Sequence, residues 1–241
     1  MSGHSKWKQI KHKKSLTDAK KGQLFSKLVR EIMIAARDGG PRPETNFRLR
    51  QTIEQALSQG LPKDNIERAI ARAIGTGEGA VLQEFLYEAA ANGVTILVEG
   101  TTDNKNRTLA EIKHILNEHS AKLAESGSLA WGFEKIGLLK LTPEENTAKS
   151  REEVELAIIE AGANDFKYIN GVWLAETNFV EIEKVRQKLE KAGLKIKEAG
   201  RDYKTRMPLE LEREAKNRVE KLLDELSEHS DVQEVYTNLI S

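Results

Sequence analysis

The spacing of apolar residues changes once along the chain, and this change restricts the possible folds more than any other feature. Before residue 75, apolar residues recur every three or four positions, which predicts amphipathic helices. Beyond residue 80, short runs of alternating apolar and polar residues occur between helical stretches, which predicts strands. The segment 75–79, Gly-Thr-Gly-Glu-Gly, is typical of a linker. A small helical domain followed by an α+β region is therefore expected.

Three short helices are predicted ahead of that linker, at about 17–38, 46–59 and 62–74. Apolar residues occupy one face of the first helix, and we expect this face to lie in a core. The opposite face carries a basic stripe, which we expect to be available to polyanions and which consists of Lys20, Lys27, Arg30 and Arg37.

The region beyond residue 80 contains two α+β units. The elements predicted between residues 135 and 204 follow the order strand, helix, strand, strand, helix, strand, which is the ferredoxin-like motif. We therefore predict an α+β multidomain fold with antiparallel sheets and three domains: a basic arm with a three-helix domain at 1–79, a discontinuous α+β domain at 80–134 with 205–241, and an inserted ferredoxin-like domain at 135–204.

Four elements of the α+β region are predicted with the following limits. These are a strand-like stretch at 122–133, a helix at 143–161, a strand at 194–199 and a helix at 209–228.

Charge is unevenly distributed, although the 38 Lys+Arg of the whole chain equal its 38 Asp+Glu. Residues 1–78 carry 16 basic and 8 acidic side chains, a net charge of +8, so the 22 basic and 30 acidic side chains of residues 79–241 give −8. The first 30 residues alone hold 9 basic residues and one acidic residue. This asymmetry indicates that a polyanion would bind the N-terminal part of the chain.

Residues 1–16 form the densest basic segment, an extended or loosely ordered basic arm with five lysines between residues 6 and 14. Their ammonium groups could neutralise phosphates, and Trp7 could stack on a base. The alternative is a solvated terminus whose Trp7 folds back onto the helices. His4 and His12 are not expected to bind a metal, because the chain has no cysteine, the two histidines are eight residues apart and lysines at most flanking positions would repel a cation.

The segment 99–108 is a second candidate contact, because it leaves a strand and enters a helix. Free backbone N–H groups there, together with Lys105 and Arg107, could hold a phosphate. A plain helix cap by Thr102 or Asp103 would explain part of the same pattern.

Other functional classes find no support in the sequence. The chain contains no Walker A, GxGxxG, HExxH or GxSxG motif, so we expect neither an enzyme nor a cofactor. No apolar run approaches the roughly 20 residues that cross a bilayer, and the N-terminus lacks the apolar core of a secretory signal. A cytoplasmic protein, monomeric and without a membrane partner, is expected.

Several longer motifs resemble those of the YebC/PmpR family, also called DUF28. The resemblance covers essentially the whole chain and rests on Gly3–Trp7, Phe25–Ile32, Asn46–Arg50, Leu61–Ile70, Thr102–Thr108, Glu125–Trp131 and Asp231–Asn238. It is weakest at residues 87–93, where Tyr-Glu-Ala-Ala-Ala-Asn-Gly replaces a glycine-rich turn of the family.

The resemblance implies three domains and a non-enzymatic role in gene expression. Many members are described as probable transcriptional regulators that bind DNA. Others, including the mitochondrial translational activator of cytochrome oxidase subunit I, resemble translation factors that act at the ribosome and contact ribosomal or transfer RNA. A scaffold that binds a basic protein through its acidic domains is a third possibility.

Nucleic acid, as DNA, RNA or the ribosome, is thus the expected partner. The predicted contact residues are Lys6, Trp7, Lys8, Lys11, His12, Lys13, Lys14, Lys20, Lys21, Lys27, Arg30, Arg37, Arg48, Arg50, Lys63, Arg68, Arg72, Asn104, Lys105, Asn106 and Arg107.

Overall fold

The computed structural model describes residues 18–75 and 82–240, with side chains from residue 21 onward. The α-helices are α1 Asp18–Gly39, α2 Phe47–Ser58, α3 Lys63–Ile74, α4 Lys105–Glu118, α5 Arg151–Ala161, α6 Ile182–Lys191 and α7 Arg213–Glu228. The strands are β1 Gln83–Ala91, β2 Val94–Thr102, β3 Lys122–Leu123, β4 Phe133–Leu141, β5 Asp165–Ile169, β6 Val172–Asn178, β7 Glu198–Thr205 and β8 Val232–Thr237. The fold is α+β with a helical N-terminal region, as the sequence predicts.

The described residues form two compact units, one of residues 135–204 and one of the flanking residues 18–75, 82–134 and 205–240. The flanking unit contains two separate apolar cores. One core lies among α1, α2 and α3 in residues 18–75, which we call the helical domain. The other lies between a sheet and helices α4 and α7, in the discontinuous domain formed by residues 82–134 and 205–240.

Asn46 fixes the turn between the first two helices. Its side-chain oxygen accepts a hydrogen bond from the N–H of Leu49 at 3.0 Å and so caps α2. Its Nδ2 donates to the carbonyls of Ala35 and Gly40 at 2.7 Å each. A Cβ at residue 39 would lie 2.7 Å from the Asn46 side chain, so this position requires glycine. The buried amide therefore sets the angle at which α2 leaves α1.

The sheet of the discontinuous domain has the strand order β3-β1-β2-β8. Strands β1 and β2 form an antiparallel hairpin that turns at Asn92 and Gly93, both with positive φ, as a type I′ turn requires. This turn occupies the segment where the sequence departs from the glycine-rich pattern of the family. Strand β8, which follows the inserted residues, pairs antiparallel with β2 and shifts register at Gly100.

The unit of residues 135–204, the inserted domain, has the strand order β5-β6-β4-β7. If the four strands of this unit are numbered in chain order, the sheet order is second, third, first, fourth. This is the ferredoxin-like arrangement predicted from the sequence. Ser150 and Glu153 cap the start of α5 reciprocally. A Cβ at residue 137 would lie 2.9 Å from Ile182 and from Thr177, so a glycine in β4 lets the start of α6 approach the sheet.

Four predicted element limits were wrong, and for two of them a specific backbone contact explains the difference. Only Lys122–Leu123 is strand within 122–133, and helix α5 begins at residue 151 after a 3₁₀ turn at Pro143–Glu145. The Asn146 side chain hydrogen-bonds both backbone groups of Lys195, so β7 starts only at residue 198. Leu209 pairs with the backbone of Asn238 and Ile240, which delays α7 to residue 213.

Among the helices within residues 18–75 and 82–240, none is both long enough and apolar enough to span a membrane.

Candidate nucleic-acid interface

Many of the residues predicted to contact nucleic acid belong to the basic arm. The residues that lie outside the described part of the chain are Lys6, Trp7, Lys8, Lys11, His12, Lys13 and Lys14, together with the side chain of Lys20. Their role stays a prediction. The other predicted residues can be placed, and several of them bind groups within the protein.

Three residues of the basic stripe, Lys27, Arg30 and Arg37, bind groups of the discontinuous domain. Lys27 is only 7% exposed, and its Nζ donates to the carbonyl of Ser227 at 2.7 Å, near the end of α7. Arg30 donates from Nη1 to the carboxylate of Asp231 at 2.7 Å and to the carbonyl of Ser230 at 2.9 Å. Two cations that the helical pattern assigned to solvent therefore join the helical domain to the discontinuous domain.

Asp231 is the centre of this junction. Its side chain is 2% exposed and accepts hydrogen bonds from Arg107 Nη2 at 2.8 Å and from the Thr108 hydroxyl at 2.7 Å, both on α4. Burial by itself raises the pKa of the Asp231 carboxyl. The bonds from Thr108 and Arg107 and the charge of Arg30 outweigh burial and hold that pKa well below its usual range. The carboxylate therefore stays charged. We call Asp231, Arg30, Arg107 and Thr108 the Asp231 cluster.

Two further arginines of the helical domain contact the start of β1. Arg37 donates from Nη1 to the carbonyl of Leu82 at 2.6 Å. Arg48 forms an ion pair with Glu84 and lies 3.6 Å from Asp38. Four of the residues predicted to contact nucleic acid, Lys27, Arg30, Arg37 and Arg48, therefore bind groups within the protein at the junction between the two domains.

The loop before α4 is organised by its own side chains. Asn104, rather than Thr102 or Asp103, caps the helix, and its oxygen accepts from the N–H groups of Asn106 and Arg107 at 3.1 Å each. Arg107 also donates to Asp103 at 2.8 Å. The N–H groups of Asn106 and Arg107 are therefore occupied. Lys105 and Asn106 are exposed, and their contact with a phosphate stays a prediction.

The remaining predicted cations of the helical domain lie around aromatic rings and on α3. Lys21 lies 5.7 Å from the centroid of the Phe25 ring, and Arg50 lies 5.6 Å from that of Phe47. On α3, Arg68 hydrogen-bonds Asp64 and Asn65. The charge on the exposed surface of α3 is of mixed sign, because its exposed charged residues are Lys63, Asp64, Glu67, Arg68 and Arg72.

A rigid loop with an exposed tryptophan was missed by the sequence reasoning. Trp131 is 61% exposed, and its Nε1 donates to the carbonyl of Ser128 at 2.7 Å. Below it, the buried carboxylate of Glu88 accepts from the N–H groups of Gly127, Leu129 and Ala130. The available signal was the Glu125–Trp131 motif together with Glu88, an acid that lies next to the apolar run Ala89–Ala91 in β1. We call residues 125–132 the Trp131 loop.

One group of potential metal ligands occurs in the described residues: Glu111, His229 and Asp231, with ligand atoms within 4.8 Å of one another. His229 Nδ1 accepts a hydrogen bond from the Asp231 N–H, and Asp231 binds two guanidinium groups. Adjacent positive charges disfavour a cation at this carboxylate. The arrangement is that of a hydrogen-bonded network and does not fit a metal site.

Comparison with known proteins gives matches along almost the whole chain. Residues 5–76 match the family model of the TACO1/YebC N-terminal domain, and residues 82–239 match that of the TACO1/YebC second and third domain. Proteins named probable transcriptional regulatory protein are 42% identical in Thermoanaerobacter pseudethanolicus and 44% in Thermomicrobium roseum. These alignments cover 99% of this chain and 97% and 96% of those relatives.

A similar structure has also been solved. The crystal structure of a conserved hypothetical protein from Aquifex aeolicus superposes with a TM-score of 0.86 at 42% sequence identity. The match covers 97% of this chain and 96% of that chain.

Proposed function

Because this chain belongs to the TACO1/YebC family, we propose that it is a non-enzymatic regulator of gene expression that binds nucleic acid in the cytoplasm. Its relatives are named probable transcriptional regulatory proteins, which supports a regulatory role. Duplex DNA is the first candidate partner. The contact is electrostatic and is made by the basic arm, with help from exposed cations of the helical domain.

The observation that carries this proposal is the division of the positive charges into two groups. Lys27, Arg30, Arg37 and Arg48 bind carbonyls and carboxylates across the domain junction. The excess positive charge of the first 30 residues then falls mainly on the arm, whose five clustered lysines have no acidic neighbour before residue 18. Ammonium groups at that density neutralise phosphates and release counterions.

The negative charge of the rest of the chain restricts where a polyanion can bind. Residues 79–241 carry a net charge of −8 and repel a polyanion, so binding is directed to the N-terminal part of the chain. Exposed Lys21, Lys63 and Arg72 extend the positive surface. Lys105 offers a single additional phosphate contact.

Titration of the full chain with a promoter-length DNA duplex and with a structured RNA of equal charge tests the proposal. We expect binding to at least one of them at low salt, with affinity that falls steeply as salt increases. If the protein binds neither nucleic acid at any salt concentration, the proposal is wrong, and the scaffold hypothesis takes its place.

A ribosome-associated translation factor is the second candidate. It is favoured by the composition of α3, which has exposed Lys63, Arg68 and Arg72, because Asp64 and Glu67 lie among these basic residues. A helix that reads bases in the major groove usually presents arginine, asparagine or glutamine without such acids. Sedimentation with ribosomes at moderate salt, lost when Lys11, Lys13 and Lys14 are changed to alanine, would support this role. Absence from the ribosome fraction would exclude it.

A further inference from the structure

We propose that Trp131 is a stacking platform for an unpaired nucleobase, a contact that rests on the proposed function and extends it beyond the basic arm. The ring is 61% exposed, which is a large apolar area for a folded chain to leave in water. The Trp131 loop belongs to the discontinuous domain, so this site is separate from the cations of the helical domain.

Hydrogen bonds to Glu88 and within the turn hold the loop that carries the Trp131 ring. Glu88 is 3% exposed and accepts three backbone hydrogen bonds from the loop, those from Leu129 and Ala130 at 2.6 and 2.8 Å. Ser128 closes the turn by donating to the carbonyl of Glu125 at 2.6 Å. A loop held this way loses little entropy when a ligand binds.

The chemistry of the exposed ring favours a base over other ligands. Its only polar atom, Nε1, already donates to the carbonyl of Ser128. What remains available is the π surface, and every nucleobase has a complementary face. A protein hot spot would instead need a rim of contacts that excludes water. Leu129 and Ala130 are partly exposed next to the ring, but Ser126, Gly127 and Ser128 are small and exposed, which leaves little of such a rim.

A cation whose backbone contacts the Trp131 loop is a candidate partner for a phosphate of the ligand. The N–H of Arg206 donates to the carbonyl of Gly132 at 2.8 Å, which places Arg206 next to the loop. Its guanidinium is 4.0 Å from Glu134, and both side chains are more than half exposed, so the pair is weak and a phosphate can replace it. Exposed Glu125 and Glu134 limit the electrostatic attraction at this site. The contribution of Trp131 should therefore come from stacking and depend little on salt.

The test measures binding of the full chain to three probes of equal length: single-stranded oligo(U), single-stranded oligo(dT) and a DNA duplex. Trp131→Ala should weaken binding to the single strands about five- to hundredfold at every salt concentration and leave duplex binding unchanged. Trp131→Phe should retain most of the affinity, because it keeps a ring. Arg206→Ala should instead lower the salt dependence by about one phosphate contact, or roughly 0.7 in the logarithmic slope.

Leu156→Ala is the matched control, because Leu156 is 56% exposed and lies in the inserted domain. It should change none of the affinities. A larger loss for oligo(U) than for oligo(dT) would identify RNA as the ligand, and equal losses would identify unpaired bases of either kind.

If Trp131→Ala binds the single strands as tightly as the unchanged chain, the platform is refuted while the proposed function stands. The ring would then belong to a protein contact. If the unchanged chain binds none of the three probes, the proposed function and the platform fail together.

Discussion

Asp231 binds two arginines that would otherwise be available to an external anion. Its carboxylate is buried, and two arginines and a threonine from two different helices donate to it. A buried carboxylate with this many donors keeps its charge, and the donors lose their freedom to bind other anions. The same arginines would be natural phosphate ligands if Asp231 were absent.

Asp231→Asn should destabilise the protein by about 2–3 kcal/mol, because charge-assisted hydrogen bonds from three donors are weakened. Asp103→Asn is the control, since Asp103 binds Arg107 at the same 2.8 Å but is 43% exposed. An exposed pair contributes about 0–1 kcal/mol. Urea unfolding of both variants measures the difference, and equal losses would contradict the central role of Asp231.

The same substitution has a defined pH dependence. The pKa of Asp231 is lowered in the folded state, so its stabilisation is complete above the unfolded pKa, whose usual value is 3.8, and is lost as pH falls toward the folded pKa. The stability gap between the unchanged chain and Asp231→Asn should therefore be constant near neutral pH and shrink below about pH 4. Urea unfolding at a series of pH values measures the gap. A gap that widens in acid would show the opposite shift.

Gly100 is a second position where a single atom decides the packing. A Cβ there would lie 2.1 Å from the backbone oxygen of Asp231 and 2.5 Å from the Phe85 ring. Gly100→Ala should cost about 1–3 kcal/mol or more, because the strand pairing beside the Asp231 cluster must shift. Gly22→Ala, in helix α1 with nothing within 4 Å, should instead stabilise by up to about 1 kcal/mol. Thermal unfolding distinguishes the two, and a loss of similar size at Gly22 would contradict the steric account.

At the scale of elements, the Trp131 loop depends on a residue from a distant strand. Glu88 on β1 supplies the acceptor for three loop amides that would otherwise lack a partner within the loop. A strand was predicted for residues 122–133, but the loop amides bind this carboxylate and only Lys122–Leu123 pairs with β1. The loop therefore presents its tryptophan at a fixed position.

Glu88→Gln should loosen the loop, because an amide has one acceptor oxygen where the carboxylate has two. Hydrogen exchange at the amides of Leu129 and Ala130 should accelerate at least about tenfold, which corresponds to roughly 1.4 kcal/mol of lost protection. Glu125→Gln, an exposed acid of the same loop, should leave the exchange rates unchanged. Unaltered rates in Glu88→Gln would mean that Glu88 does not hold the loop.

At the scale of the whole molecule, the periods of the apolar residues were enough to predict the fold class and the ferredoxin-like order of the inserted domain. The helical pattern also separated the basic stripe of α1 from the core. It could not show that Lys27 and Arg30 face a second domain, because their partners, Ser227 and Asp231, are 200 and 201 residues away in the chain.

The candidate site was predictable only in part, for the same reason. Local composition identifies clustered lysines in the arm, since neighbouring charges need no fold to be near one another. The exposure of Trp131 and the burial of Glu88 depend on the pairing of β1 with β2 and β3, which local patterns do not determine. Long-range contacts thus decide which cations remain free for a ligand.

The central claim is that nucleic acid binds the basic arm and not the charges of the domain junction. The salt dependence of binding tests it most directly, in the unchanged chain and in a Lys11→Ala, Lys13→Ala, Lys14→Ala variant. The control changes exposed Lys191, Lys195 and Lys197 of the inserted domain to alanine and loses the same charge. We predict that the arm variant reduces the logarithmic salt slope by about 2–3, as three lost phosphate contacts require, and that the control leaves it unchanged. An unchanged slope in the arm variant, or an equal reduction in the control, would contradict the claim.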